Sequence, residues 1–130
     1  MAHSLQVLLA VALGGALGAS GRHLVSRGMV HLLGAGFPWG TLLVNVLGSF
    51  LMGVLIEMAA LRLELSNEMR AFLFVGVLGG FTTFSTFALD TVSLYERGDL
   101  MASFLYVLGS VTLSVAGLFA GLAIMRSVLT

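Results

Sequence analysis

Ala71-Phe-Leu-Phe-Val-Gly-Val-Leu-Gly79-Gly-Phe-Thr82-Thr-Phe84-Ser-Thr-Phe87-Ala-Leu89 carries no charge from end to end. A run of that length is what one helix needs to cross a bilayer core of about 30 Å at roughly 1.5 Å of rise per residue. Three other uncharged stretches read the same way: Ser4 to Gly21, Gly28 to Ile56 (interrupted by His31 and Pro38), and Leu100 to Met125. The pattern predicts helices at about 5 to 24, 41 to 61, 71 to 94 and 100 to 125. Over all 130 residues, 58% are hydrophobic and 9% charged, with a mean hydropathy of +1.08. Soluble domains carry about 25% charged residues, so this chain cannot coat itself for water. Membrane-barrel strands would alternate apolar and polar residues in short segments, and no such alternation is visible. The expected fold is all-α and integral to the membrane, one four-helix domain spanning residues 1–130.

The N-terminus, Met1-Ala2-His3-Ser4, lacks the basic segment and cleavage site of a signal peptide, so the first run is expected to stay as a helix. There is no cysteine, which removes disulfides, thiolate metal sites and cysteine nucleophiles from consideration. His3, His23 and His31 show neither metal-ligand spacing nor a neighbouring nucleophile, and an enzyme is the least expected reading.

Loop arginines normally orient a membrane protein. Arg62, Arg70 and Arg126 fall on one predicted side and Arg22, Arg27 and Arg97 on the other. Such a tie gives the insertion machinery no preference, so copies are expected in both orientations. The alternative is that Arg22 faces inward and the balance is coincidence. Four helices are too few to enclose a lined aqueous path, and a dual-topology chain would pair with itself as an antiparallel homodimer whose two-fold axis lies in the membrane plane.

The opening stretch also holds two adjacent glycines followed by a dense run of hydroxyl residues. Glycine uncovers the backbone and Ser/Thr hydroxyls offer competing hydrogen bonds, so the third helix is expected to break mid-membrane at Gly79 to Thr82. Freed carbonyls in hydrocarbon must face protein, a cavity or an ion. In an antiparallel dimer two such sets would meet around one small monovalent cation. The alternative is that the small residues only let helices approach closely. On the fourth helix Ser103, Tyr106, Ser110, Ser114, Gly117 and Gly121 share one stripe, and on the second Thr41, Asn45 and Ser49 recur every fourth residue. A permeating anion would meet neutral donors there: hydroxyls, the Asn45 amide, and the weakly positive ring edges of Phe84 and Phe87. Weak, repeated sites suit conduction. Gly14-x-x-x-Gly18 on the first helix suggests close packing, Arg22 either draws anions into a vestibule or snorkels to the interface, and Trp39 suits an interfacial anchor.

Gly18-Ala-Ser-Gly-Arg22, Gly40-Thr-Leu-Leu-Val-Asn45-Val-Leu-Gly48-Ser-Phe and Gly79-Gly-Phe-Thr-Thr-Phe-Ser-Thr-Phe87 together carry a resemblance to the Fluc/CrcB-type fluoride channels of microorganisms. The last segment is the most specific, and the similarity spans nearly the whole chain. The resemblance implies a dual-topology antiparallel homodimer in the bacterial inner membrane, with two fluoride paths and a structural Na+ at the centre of the interface. It implies that backbone carbonyls of Gly79 and Thr82 hold the sodium. Asn45, Phe84 and Phe87 would line the fluoride path, Tyr106, Ser110 and Ser114 would form a polar track, and Ser85 and Thr86 would add hydroxyl donors. Asp90 stands where many relatives have glutamate. Function would be passive exit of F⁻ that enters acid-stressed cells as HF, relieving fluoride toxicity. Two rivals remain: a dual-topology proton-coupled exporter of cations or drugs, with Glu57 or Asp90 as its titratable group, and a non-transporting scaffold that assembles through its glycines.

Overall fold

The computed structural model describes residues 2–130. Four helices are long and apolar enough to cross a membrane: α1 (Ala2–Leu33), α2 (Trp39–Leu61), α3 (Asn67–Glu96) and α4 (Leu100–Leu129). The end of α2 and the start of α4 fall where predicted, and every other end lies further out, because the flanking residues continue the helical hydrogen bonding that an uncharged-run criterion cannot register. The difference is largest in α1, predicted to stop near residue 24. Its 32 residues reach about 48 Å at roughly 1.5 Å per residue, so it projects beyond a ~30 Å hydrocarbon core. Arg22 and Arg27 therefore belong to a helix and not to a loop, which corrects the loop tally made from sequence. The loop that follows, Gly34 to Pro38, turns through Gly34 at φ +82°, a left-handed conformation suited to glycine.

Large apolar side chains point outward. Leu8, Leu13 and Leu17 on α1, and Phe104 and Phe119 on α4, are each more than half exposed. Lipid is the solvent such a surface requires. The interior is correspondingly thin, with Val44 and Tyr106 as its most enclosed side chains. Small residues let the helices close on one another where bulky ones would hold them apart. The first half of α3 packs along α1, and α2 packs along α4. A Cβ placed on Gly14 would overlap the Phe72 carbonyl oxygen, and one on Gly18 the Val77 oxygen. Gly53 and Gly121 do the same for α2 and α4, against Leu118 and Phe50.

α3 is not uniform. Asn67–Arg70 is α-helical, Ala71–Leu78 winds as a wider π-helix, Gly79–Phe81 returns to α, and Phe84–Glu96 forms its second half. Between the halves the backbone is extended at Thr82 (φ −87°, ψ 159°) and Thr83 (φ −153°, ψ 124°). The extended residues overlap the expected Gly79 to Thr82 at Thr82 and run one residue beyond it. Both glycines of the pair are helical, because α1 packs against Gly80 and supports the helix up to Phe81.

Replacing Gly18 by leucine should push α1 off α3 and lower stability by about 1–3 kcal/mol. Gly15→Ala, which meets nothing within 4 Å, should be neutral or slightly stabilising. Thermal unfolding in detergent, followed through Trp39 fluorescence, separates the two.

Candidate functional site

The extended pair at Thr82 and Thr83 would be intolerable in hydrocarbon unless its backbone groups were satisfied. One side chain does most of that. Asn45, on α2, donates from Nδ2 to the Thr83 carbonyl (2.9 Å) and accepts the Thr83 N–H at Oδ1 (2.7 Å). A primary amide presents a donor and an acceptor side by side, so it pairs with an extended residue as a neighbouring strand would. Thr83 in turn caps the second half of α3, its Oγ1 accepting from the Thr86 N–H at 3.2 Å. Thr82 ties back to the first half, with its N–H and its Oγ1 both donating to Leu78 O at 3.0 Å. Gly48 makes room for this: any side chain there would collide with the Thr82 methyl.

Two consequences follow for carbonyl groups. The Thr83 amide, which a continuous helix would give to Gly79 O, goes to Asn45, and the Thr86 amide, which would go to Thr82 O, goes to Thr83 Oγ1. Gly79 and Thr82 are thus left with carbonyl oxygens relieved of their helical donors. Gly79 is exposed on the outside of the chain.

A groove of about 420 Å³ opens beside this region between α2, α3 and α4, with Asn45, Thr83, Phe84, Phe87, Ser110 and Ser114 among its lining residues. It unites most of the residues singled out from sequence. Phe84 is 78% exposed, whereas Phe87 is buried, and their ring centroids are 5.5 Å apart. Ser110 is only 5% exposed and its Oγ has no hydrogen-bond partner among the described residues. A hydroxyl without a partner keeps an unused donor.

Tyr106 does not line this groove. It packs behind Phe87, ring centroids 5.2 Å apart, and donates its hydroxyl to Asp90 Oδ2 at 3.0 Å. Asp90, given no settled role by the sequence, faces a second cavity of about 300 Å³ with Thr41, Ser93, Arg97 and the Gly34 to Pro38 loop. Phe37 and Trp39 extend the aromatic contacts from Tyr106 into that loop, with centroids 5.4 and 4.6 Å apart in succession. Ser85 is exposed and Thr86 half-buried, and neither lines either cavity. Arg22 lies in neither cavity: its Nε donates to Gly80 O at 3.0 Å. Sequence reasoning also missed the pairing of Thr83 with Asn45. The only signal was a threonine positioned to cap a helix that restarts, and the expected break stopped at Thr82, one residue short of it.

Four helices with apolar, outward-facing surfaces, three of them lining a groove that carries a few polar groups, define a multi-pass membrane protein. Comparison with known proteins narrows the class. The family described as CrcB-like protein, Camphor Resistance (CrcB), matches residues 9–122, and this chain belongs to it. A relative from Agrobacterium fabrum is 57% identical over 117 residues, covering 90% of this chain and 94% of the relative. One from Rhodospirillum centenum is 54% identical over 123 residues, covering 95% and 98%. One from Chelativorans sp. is 53% identical over 122 residues, covering 94% and 98%. Each of the three carries the name fluoride-specific ion channel FluC. The chain is accordingly a multi-pass protein of the cell membrane.

Asn45→Leu keeps the bulk but strips both bonds from Thr83, leaving a partly buried N–H and C=O unpaired. The expected loss is about 2–4 kcal/mol of stability, with faster hydrogen exchange at the Thr83 amide. Unchanged exchange there would mean that the extended pair is held by something other than Asn45.

Proposed function

We propose that the chain is one subunit of a fluoride-selective channel through which F⁻ leaves the cell passively, down its electrochemical gradient. The observation that carries the reading is the groove itself. It places the unpaired Ser110 hydroxyl and the Asn45 amide, which keeps a second N–H, beside Phe84 and Phe87. Fluoride is small and holds its hydration water tightly, so leaving water requires dense compensation by donors. Hydroxyl and amide N–H groups provide it without the trapping that a buried arginine would cause, and ring edges add weak positive potential. Chloride, larger and a weaker acceptor, gains less from the same donors. The curated names of the relatives agree with this reading and make an ion channel, not an enzyme, the expected activity.

The finer assembly is also proposed: an antiparallel dual-topology homodimer, with the extended Thr82 and Thr83 near mid-bilayer and a Na+ shared across the interface. With Arg22 drawn inward to Gly80 O, Arg62, Arg70 and Arg126 stand at one end of the chain's helices and Arg27 and Arg97 at the other, a near-balance that favours dual topology. The chemistry of the carbonyls fits a sodium ion, since Gly79 O and Thr82 O are hard oxygen ligands without helical donors, on a segment whose Gly79 is exposed. When bound, the ion supplies fixed positive charge and a cross-link between subunits. Ser85 and Thr86 on the same motif are left as secondary donors, and Tyr106 as the group that anchors Asp90 behind Phe87.

A proton-coupled exporter using Glu57 is disfavoured. That carboxylate is buried and engaged by Arg126, Nε to Oε1 at 3.1 Å and Nη2 to Oε2 at 3.2 Å, a two-point ion pair joining α2 to α4.

Purified protein in potassium-loaded liposomes, with valinomycin added, should release fluoride and retain chloride. Ser110→Ala should slow fluoride release about tenfold, the scale of one lost hydrogen bond, and Phe84→Ile should slow it at least as much. Glu57→Gln should leave fluoride release within about twofold, since neither Glu57 nor Arg126 lines the groove. Release of chloride at the same rate, or transport abolished by Glu57→Gln alone, would overturn the channel reading.

A further inference from the structure

The first half of α3 ends in three carbonyls, those of Gly79, Gly80 and Phe81, whose helical donors would be the amides of Thr83, Phe84 and Ser85, in or beyond the extended pair. Two of them sit side by side with unequal surroundings. Gly79 is exposed on the outside of the chain, while Gly80 is turned against α1, where a Cβ would come within 2.9 Å of Gly15 O. Arg22, one turn further along α1 from Gly18, is half-buried and its Nε reaches the Gly80 oxygen at 3.0 Å. α1 therefore both packs against Gly80 and supplies its missing donor. Charge-assisted bonds of this kind are stronger than neutral ones, and they count for more where water is absent.

We infer that Arg22 is a positioning residue for the cation site: by taking Gly80 O for the protein, it fixes the end of the helix so that Gly79 O is the oxygen left for sodium. The inference rests on the proposed sodium site and assigns Arg22 a part in it distinct from attracting anions. Without the guanidinium, Gly80 O is a second bare acceptor next to Gly79 O. The last turn then relaxes to satisfy it with water or with a backbone amide, and the direction of the Gly79 carbonyl is no longer set. A purely electrostatic role predicts the opposite sign, because removing a positive charge from beside a cation site strengthens cation binding.

The test follows the sodium dependence of thermal unfolding of the detergent-purified full chain, with N-methylglucamine replacing sodium at constant ionic strength and Trp39 fluorescence as the readout. The wild type should be stabilised by sodium. Arg22→Met, which loses both donor and charge, should raise the sodium concentration for half-maximal stabilisation about tenfold, matching the scale of a charge-assisted hydrogen bond. Arg22→Gln keeps an N–H donor without the charge and should stay within about threefold of wild type. If Arg22→Met does not fold, Arg22→Gln against Arg22→Lys decides, since positioning predicts that sodium affinity follows the donor and not the charge. An unchanged or lowered midpoint in Arg22→Met, or in Arg22→Gln a midpoint well below wild type, overturns the inference while leaving the sodium site standing. A wild type indifferent to sodium that still releases fluoride from liposomes overturns the sodium site and this inference together.

Discussion

A single amide holds the functional half of this molecule in shape. Asn45 pairs with both backbone groups of Thr83, and in a medium without water that pairing is what allows two extended residues to persist inside a membrane helix. From it the rest follows in order. Because Thr83 N–H is engaged by Asn45, Gly79 O loses its helical donor. Because Thr83 is extended, its side chain can cap the restarting helix, which frees Thr82 O and directs Phe84 and Phe87 along one wall of the groove. One polar side chain on α2 thereby organises the backbone of α3, the orientation of two aromatic rings and the oxygen ligands of the proposed ion.

The glycines act at the level of packing. Gly14 and Gly18 bring α1 against the first half of α3, and Gly53 and Gly121 bring α2 against α4. The two seams leave the second half of α3 between α2 and α4, where Ser110 and Ser114 face Asn45 across a groove of about 420 Å³. Polar groups at the ends of the bundle are treated differently from those in the groove. Glu57 and Arg126 satisfy one another, as do Tyr106 and Asp90, whereas Ser110 is left open. Stability favours pairing every buried polar group, which makes the Ser110 hydroxyl the exception among the described residues.

Much of this was legible in the chain. The four uncharged runs gave the helices, since the hydrocarbon thickness allows no other reading of them, and the hydroxyl-rich stretch after Gly79-Gly80 located the irregular region within a few residues. Asn45, Phe84, Phe87, Ser110 and Ser114 were found from their spacing, and they do converge on one groove. Helix ends were not legible, because a polar residue such as Arg27 satisfies its backbone equally well inside a helix or beyond it. Nor were the pairings of Arg22 with Gly80, Tyr106 with Asp90 or Glu57 with Arg126, which join residues 58, 16 and 69 positions apart.

By itself the sequence determined what each helix is made of: its solvent is lipid, its polar residues are neutral at the centre, and its glycines and hydroxyls are concentrated where backbone is to be exposed. These are properties of composition and period, fixed by transfer free energy along one helix at a time. Only the tertiary structure decided which donor satisfies which acceptor. That choice depends on how α1 and α2 are laid against α3, so Asn45 became a backbone clamp, Arg22 met the Gly80 carbonyl, and Tyr106 packed behind Phe87 to hold Asp90.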